Sequence, residues 1–172
     1  ELIGVPEGIE EPEETGATFA ENARLYARDD VEQTGHGALA DDSGICIDAL
    51  NGEPGVHSAR WVAEENWIPR TLELLKDTPY AERTARYVAA FALSAPTGEI
   101  RAEAEGTFEG RIANAPRGTN GFGYDPIFLA GPDFTRTAAE LTPDEKHARS
   151  HRGAAANALL PKLLALSEKH TI

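Results

Sequence analysis

The apolar positions of this chain change period several times, and each change predicts an element. Phe19, Ala23, Tyr26 and Ala27 recur at helical spacing and define one buried stripe. Thr18 and Glu21 match a capping box, in which a hydroxyl and a carboxylate satisfy the free amides of a helix start. A helix is predicted over about 19–33, ended by Gly35 and Gly37. Residues 1–16 carry Pro6 and Pro12 in an acidic run and read as extended chain or loop. The runs Ala38-Leu39-Ala40 and Ile45-Cys46-Ile47 read as strand. Asn51-Gly52-Glu53-Pro54-Gly55 is a turn. Ile68, Leu72 and Leu75 are spaced for a helix over roughly 68–76, with Pro69 in its first turn.

Residues 86–94 are mostly apolar and predict a strand. After the turn Pro96-Thr97-Gly98, residues 100–107 alternate apolar with charged and predict its half-exposed antiparallel partner. Residues 114–123 form a loop rich in Gly, Pro and Asn, and 124–129 read as a short strand. Thr142-Pro143-Asp144-Glu145 is a second capping box. A last helix is predicted over 152–168, kinked or divided by Pro161. Alternating helices and strands with one antiparallel pair give an α/β or mixed-sheet α+β fold. A length of 172 residues suits one domain, or two lobes sharing one sheet.

Charge narrows the choice of partner. A formal charge of −13 argues against a non-specific binder of nucleic acid or of a membrane surface. No apolar run approaches the ~20 residues that span a bilayer. Basic groups gather late, at Arg111, Arg117, Arg136, Lys146, Arg149 and Arg152, with His147 and His151. An anionic ligand needs that cluster, or a metal, to offset the field. The single cysteine, Cys46, cannot form an internal disulfide, and a buried thiol and a cytoplasmic address are expected.

Three stretches can carry chemistry. In Ala40-Asp41-Asp42-Ser43-Gly44 two carboxylates are adjacent. Neighbouring side chains on a strand face opposite ways, so a strand terminus or tight turn is expected there, holding carboxylate oxygen towards a cleft. Hard oxygen ligands suit Mg²⁺, which usually takes one or two protein carboxylates. A solvated Asp-Asp turn would use the same residues. The loop Gly118–Asp125 offers Phe122 as a face on which a base can stack, worth roughly 1–3 kcal/mol. Asp125 can accept from a base edge or order the loop, and Phe122 plugging the core is the alternative. Lys146, Ser150, His151 and Arg152 put several donors beside a helix start, which suits a phosphate or a purine carbonyl. A solvated basic helix end is the alternative there. Glu14 is a possible further metal ligand, and Arg60 either meets phosphates or forms a structural salt bridge.

Glu14-Thr15-Gly16, Glu21-Asn22-Ala23, Ala40–Gly44, Pro54–Arg60, Gly121–Pro126, Thr137–Leu141, and Lys146 with Ser150–Gly153 occur in one order. That set resembles the inosine triphosphate pyrophosphatase family, which hydrolyses non-standard purine nucleoside triphosphates. The resemblance implies a two-lobed α/β fold with a long mixed sheet, flanking helices and a cleft, in a homodimer. It implies Asp42 as general base and Mg²⁺ ligand, with Asp41 and Glu14 as acidic neighbours of the metal. It implies Ser43, Phe122, Gly123, Tyr124, Asp125, Lys146, His151 and Arg152 as substrate contacts, the last residues favouring a 6-keto purine. The family's first strand and its Thr/Ser-Asn-Lys phosphate loop have no counterpart before Glu14, so the chain is expected to lack them. A pyrophosphatase for modified pyrimidine or methylated nucleotides, or a silent nucleotide-binding module, stays open at this point.

Overall fold

Helix α1 (Phe19–Thr34) starts where the capping box puts it. The Glu21 amide donates to the Thr18 hydroxyl and the Thr18 amide to the Glu21 carboxylate, both at 3.2 Å. Gly35 closes the helix in the left-handed region at φ 72°, its amide bonded back to the Val31 carbonyl. This computed structural model describes residues 3–168.

Four strands follow: β1 (Leu39–Ile47), β2 (Thr84–Ser94), β3 (Ile100–Ile112) and β4 (Phe128–Ala130). They form one sheet in the order β1-β2-β3-β4. The α/β class is as expected. All three pairings are antiparallel, so the described strands supply no parallel part of a mixed sheet. Helix α2 (Trp67–Leu74) lies between β1 and β2, and α3 (Pro143–Arg149) and α4 (His151–Glu168) follow β4.

Alternation along the strands sorts the helices onto two faces. Phe19, Ala23 and Ala27 of α1 pack on Ala90 and Ala92, with Ala40 and Cys46 at the margin. On the other face Leu159 of α4 packs on Leu93, Ala102 and Ala104. That face continues into the largest cluster, which includes Ile45, Ile47, Tyr87, Phe108 and Phe128. Helix α4 approaches closest at Gly106, where a Cβ would overlap the backbone of His151 and Ala155.

Several expectations are corrected. Asp41-Asp42 is neither a strand end nor a turn, because β1 runs through it in continuous register, Asp41 opposite Phe91 and Asp42 opposite Ala90. The two carboxylates therefore face opposite sides of the sheet. The third strand continues past residue 107 to Ile112. Residues 124–129 are only partly strand. Asp125–Ile127 is a 3₁₀ turn, consistent with Pro126 having no amide to give a ladder, and β4 begins after it. Pro161 does not divide α4. The carbonyl it leaves unpaired belongs to exposed Asn157, where water can reach it. Among the described residues no helix is long and apolar enough to cross a membrane.

Candidate active site

Helix α1 positions the acidic side of the site with two residues one turn apart. Asn22 is fully buried. Its Nδ2 donates to Asp42 Oδ2 at 2.9 Å, and its Oδ1 accepts from the Gly16 amide at 2.8 Å. One turn later the Tyr26 hydroxyl donates to Glu14 Oε1 at 2.8 Å. Glu14 also pairs with Arg60, the salt-bridge arrangement expected as one alternative for that arginine. The helix thus brings Glu14 and Asp42 to the same face.

Asp42 is 8% exposed. Burial raises its carboxyl above the usual range, with Asp41 adding to the rise. The Asn22 and Ser43 hydrogen bonds and the charge of Arg152 pull it back. Asp41 lies on the other face, where its Oδ2 accepts from Arg152 Nε at 2.9 Å. It stands apart from the Glu14–Asp42 pair, so the expected three-carboxylate metal set does not assemble. Among the described residues no three His, Cys, Asp or Glu side chains converge as a metal cage. Two hard carboxylates on one face still fit an ion that keeps most of its shell for water and phosphate.

The eight residues expected to contact substrate surround one cavity of about 200 Å³. Ser43 enters it from β1, on the Asp41 side of the strand. The loop 121–125 supplies Phe122, Gly123, Tyr124 and Asp125, while Lys146 comes from α3, and His151 and Arg152 from the start of α4. Asp42 does not line this cavity, although its neighbour Ser43 does.

Asp125 ties the loop together. It is 1% exposed, and its Oδ2 accepts from the Phe122 amide at 2.9 Å and from the Lys146 ammonium. Gly121 turns the chain at φ 73°, and a Cβ there would collide with the Asp125 carboxylate. Phe122 is left 69% exposed with the Lys146 ammonium 4.6 Å from its ring centre. The core-plug alternative for Phe122 is thereby excluded. A second cavity of about 300 Å³ shares Phe122, Lys146, His151 and Arg152 and reaches back to Thr142 and Ser150.

His151 is 6% exposed, and among the described residues its Nδ1 has no hydrogen-bond partner. Burial, with the charges of Arg152 and Lys146, lowers its pKa from 6.5 to about 4. The ring is neutral at pH 7 and offers one donor and one acceptor. Because the folded value lies below the unfolded one, the unfolded chain binds more protons between about pH 4 and 6.5. Stability is therefore lost as pH falls through that window, by roughly 3 kcal/mol for this group. Urea unfolding at pH 7 and pH 4.5 should show a smaller loss in His151→Gln than in the parent. Equal losses would remove His151 as the cause.

Sequence reasoning missed several lining and positioning residues. Trp67 stacks on Tyr124, centroids 5.3 Å apart, and Ser58 accepts from the Ile45 amide at 2.8 Å on the free edge of β1. Tyr87 also lines the cavity. Asn22 carried a signal, an amide inside the buried stripe of a helix, where Asn is otherwise unfavourable. Tyr87 carried none, since an inward aromatic on a strand reads as core.

The α/β sheet thus carries a donor-lined cavity on one face and a buried carboxylate on the other. The Ham1 family profile matches residues 2–162. A dITP/XTP pyrophosphatase of Symbiobacterium thermophilum is 48% identical over 171 residues, covering 98% of this chain and 85% of the relative. One of Mycobacteroides abscessus is 51% identical over 166 residues, covering 94% and 79%. The solved HAM1 protein of Coxiella burnetii superposes with a TM-score of 0.81 at 44% identity, covering 91% of this chain and 81% of that one. The solved nucleoside-triphosphatase / dITP/XTP pyrophosphatase of Mycobacterium abscessus gives 0.76 at 51% identity, covering 92% and 82%. This chain belongs to the Ham1 family.

Proposed function

We propose that this chain is a nucleoside triphosphate pyrophosphatase that hydrolyses non-standard purine nucleotides such as dITP and XTP. Water attacks the phosphate chain and the anhydride bond breaks, giving the monophosphate and pyrophosphate. One observation carries the reading: Phe122, Lys146, His151 and Arg152 converge on one cavity in a chain 48% identical, over 98% of its length, to a protein named for that reaction.

In this reading the base stacks on the exposed ring of Phe122. Lys146 and Arg152 donate to the 6-carbonyl, and neutral His151 supplies a further donor or acceptor. An adenine amino group in the same place would leave donors facing a donor, an arrangement that costs selectively. Asp42 takes the proton of the attacking water, helped by the burial that raises its basicity. Asp42 and Glu14 are the residues that would hold Mg²⁺, which when bound offsets charge on the phosphate chain. A cytoplasmic homodimer is the working form proposed, on the family resemblance and the lone free Cys46.

Pyrophosphate release from dITP, XTP and dATP at equal concentration tests the base preference. Turnover of the first two is expected to exceed that of dATP by about 100-fold. Equal rates reject the recognition role of the Lys146, His151 and Arg152 group.

A further inference from the structure

Tyr87 of β2 touches His151, which the proposed function gives to the base, and Asp125, which holds the Phe122 loop and Lys146. Its hydroxyl donates to Asp125 Oδ1 at 3.1 Å. Its ring stacks on the His151 imidazole, with centroids 5.0 Å apart and planes 16° from parallel. Phe128 backs the same ring at 4.5 Å, so Tyr87 is fixed from below.

The Asp125 carboxylate is buried, and each of its oxygens needs a donor. Oδ2 has the Phe122 amide and the Lys146 ammonium. Among the described residues, Oδ1 receives only the Tyr87 hydroxyl. Without it, a buried oxygen is unsatisfied and the carboxylate is free to turn about its own bond. Turning would carry the Phe122 amide and Lys146 away from their present places, because both are held by the other oxygen. Burial and the charge of Asp125 hold the phenol well above its ordinary pKa of 10, so it remains a donor at working pH.

We propose that Tyr87 is a positioning residue for base recognition. Its hydroxyl orients Asp125, and through Asp125 the Phe122 loop and Lys146, while its ring sets the plane of His151. This inference rests on the proposed function for the identity of the ligand. It goes beyond that function by giving a role to a strand residue otherwise indistinguishable from core. A phenylalanine would fill the same volume, so the hydroxyl is the atom to remove.

Calorimetric titration with inosine monophosphate and adenosine monophosphate reads recognition without turnover. Tyr87→Phe is expected to weaken inosine monophosphate about tenfold, and to leave adenosine monophosphate within about twofold. The KM for dITP should rise about tenfold, with kcat within about twofold. In an Asp125→Ala background the same substitution should cost less than about twofold, because the acceptor of the hydroxyl is already gone. Unchanged affinity for inosine monophosphate overturns the proposal. So does an equal loss for both monophosphates, or a full tenfold effect in the Asp125→Ala background. Wild-type protein that binds inosine monophosphate but releases no pyrophosphate from dITP rejects the proposed function alone. The binding series then still decides the role of Tyr87.

Discussion

Asp42→Asn is expected to lower kcat for dITP by a factor of about 10²–10⁴, the usual contribution of a positioned base, while the protein stays folded. Asparagine keeps the shape of the side chain, and its carbonyl can still accept from Asn22 Nδ2, now 2.9 Å from the carboxylate. What disappears is the charge and the basic site. The effect on stability has the opposite sign. Burial raises the Asp42 pKa, so the folded chain holds its proton more tightly than the unfolded one. For such a group stability falls as pH rises through the folded-state value, and at neutral pH the ionised carboxylate is a cost. The variant should therefore melt no lower than the parent at pH 7.5. Turnover within tenfold of the parent would take Asp42 out of the chemistry. A large drop in melting temperature would show that the buried charge supports the fold instead.

Gly106→Ala is expected to destabilise the protein by about 3 kcal/mol, the upper part of the range for overpacking. The reason is the kind of atom met. The new Cβ would overlap the backbone of His151 and Ala155 and lie 2.9 Å from the carbonyl carbon of Ala154. Backbone cannot rotate aside as a side chain can, so α4 must lift from β3. A chain of this length should lose roughly 6–12 °C in Tm. His151 and Arg152 lie at the lifted end of α4, so affinity for inosine monophosphate should fall as well. A variant that melts within about 2 °C of the parent would mean that α4 does not press on β3 as described.

Much of the fold was legible because local chemistry decided it. The capping boxes at Thr18 and Thr142 satisfy orphan amides within four residues, so both helix starts appear where the residues predict them. The alternation over 100–107 also survived, because period-two burial is a property of any half-covered strand. The Asp pair departs from the strand end or turn that its residues predict, and the reason is physical. Two carboxylates on a strand look intolerable if both must face a core, and sequence cannot say that one is met by Asn22 and the other by Arg152. Both partners are distant in the chain, and their arrival is what allows β1 to continue. Pro161 leaves α4 undivided for a related reason: breaking one bond on a wet helix face costs less than breaking it in a core.

By itself the sequence offered the candidate ligand chemistry: donors from Lys146 onward, a glycine-flanked aromatic at Phe122, and the adjacent carboxylates Asp41 and Asp42, with Glu14 as a possible addition. It also determined the helix starts and the strand periods, since those depend on neighbours within a turn or a pleat. Only the tertiary structure decided which carboxylate faces which side, which buried polar groups find partners, and that Tyr87 meets both Asp125 and His151. Those outcomes depend on side chains brought together from far along the chain, and hydrogen bonds a few ångströms long have no signature in residue order.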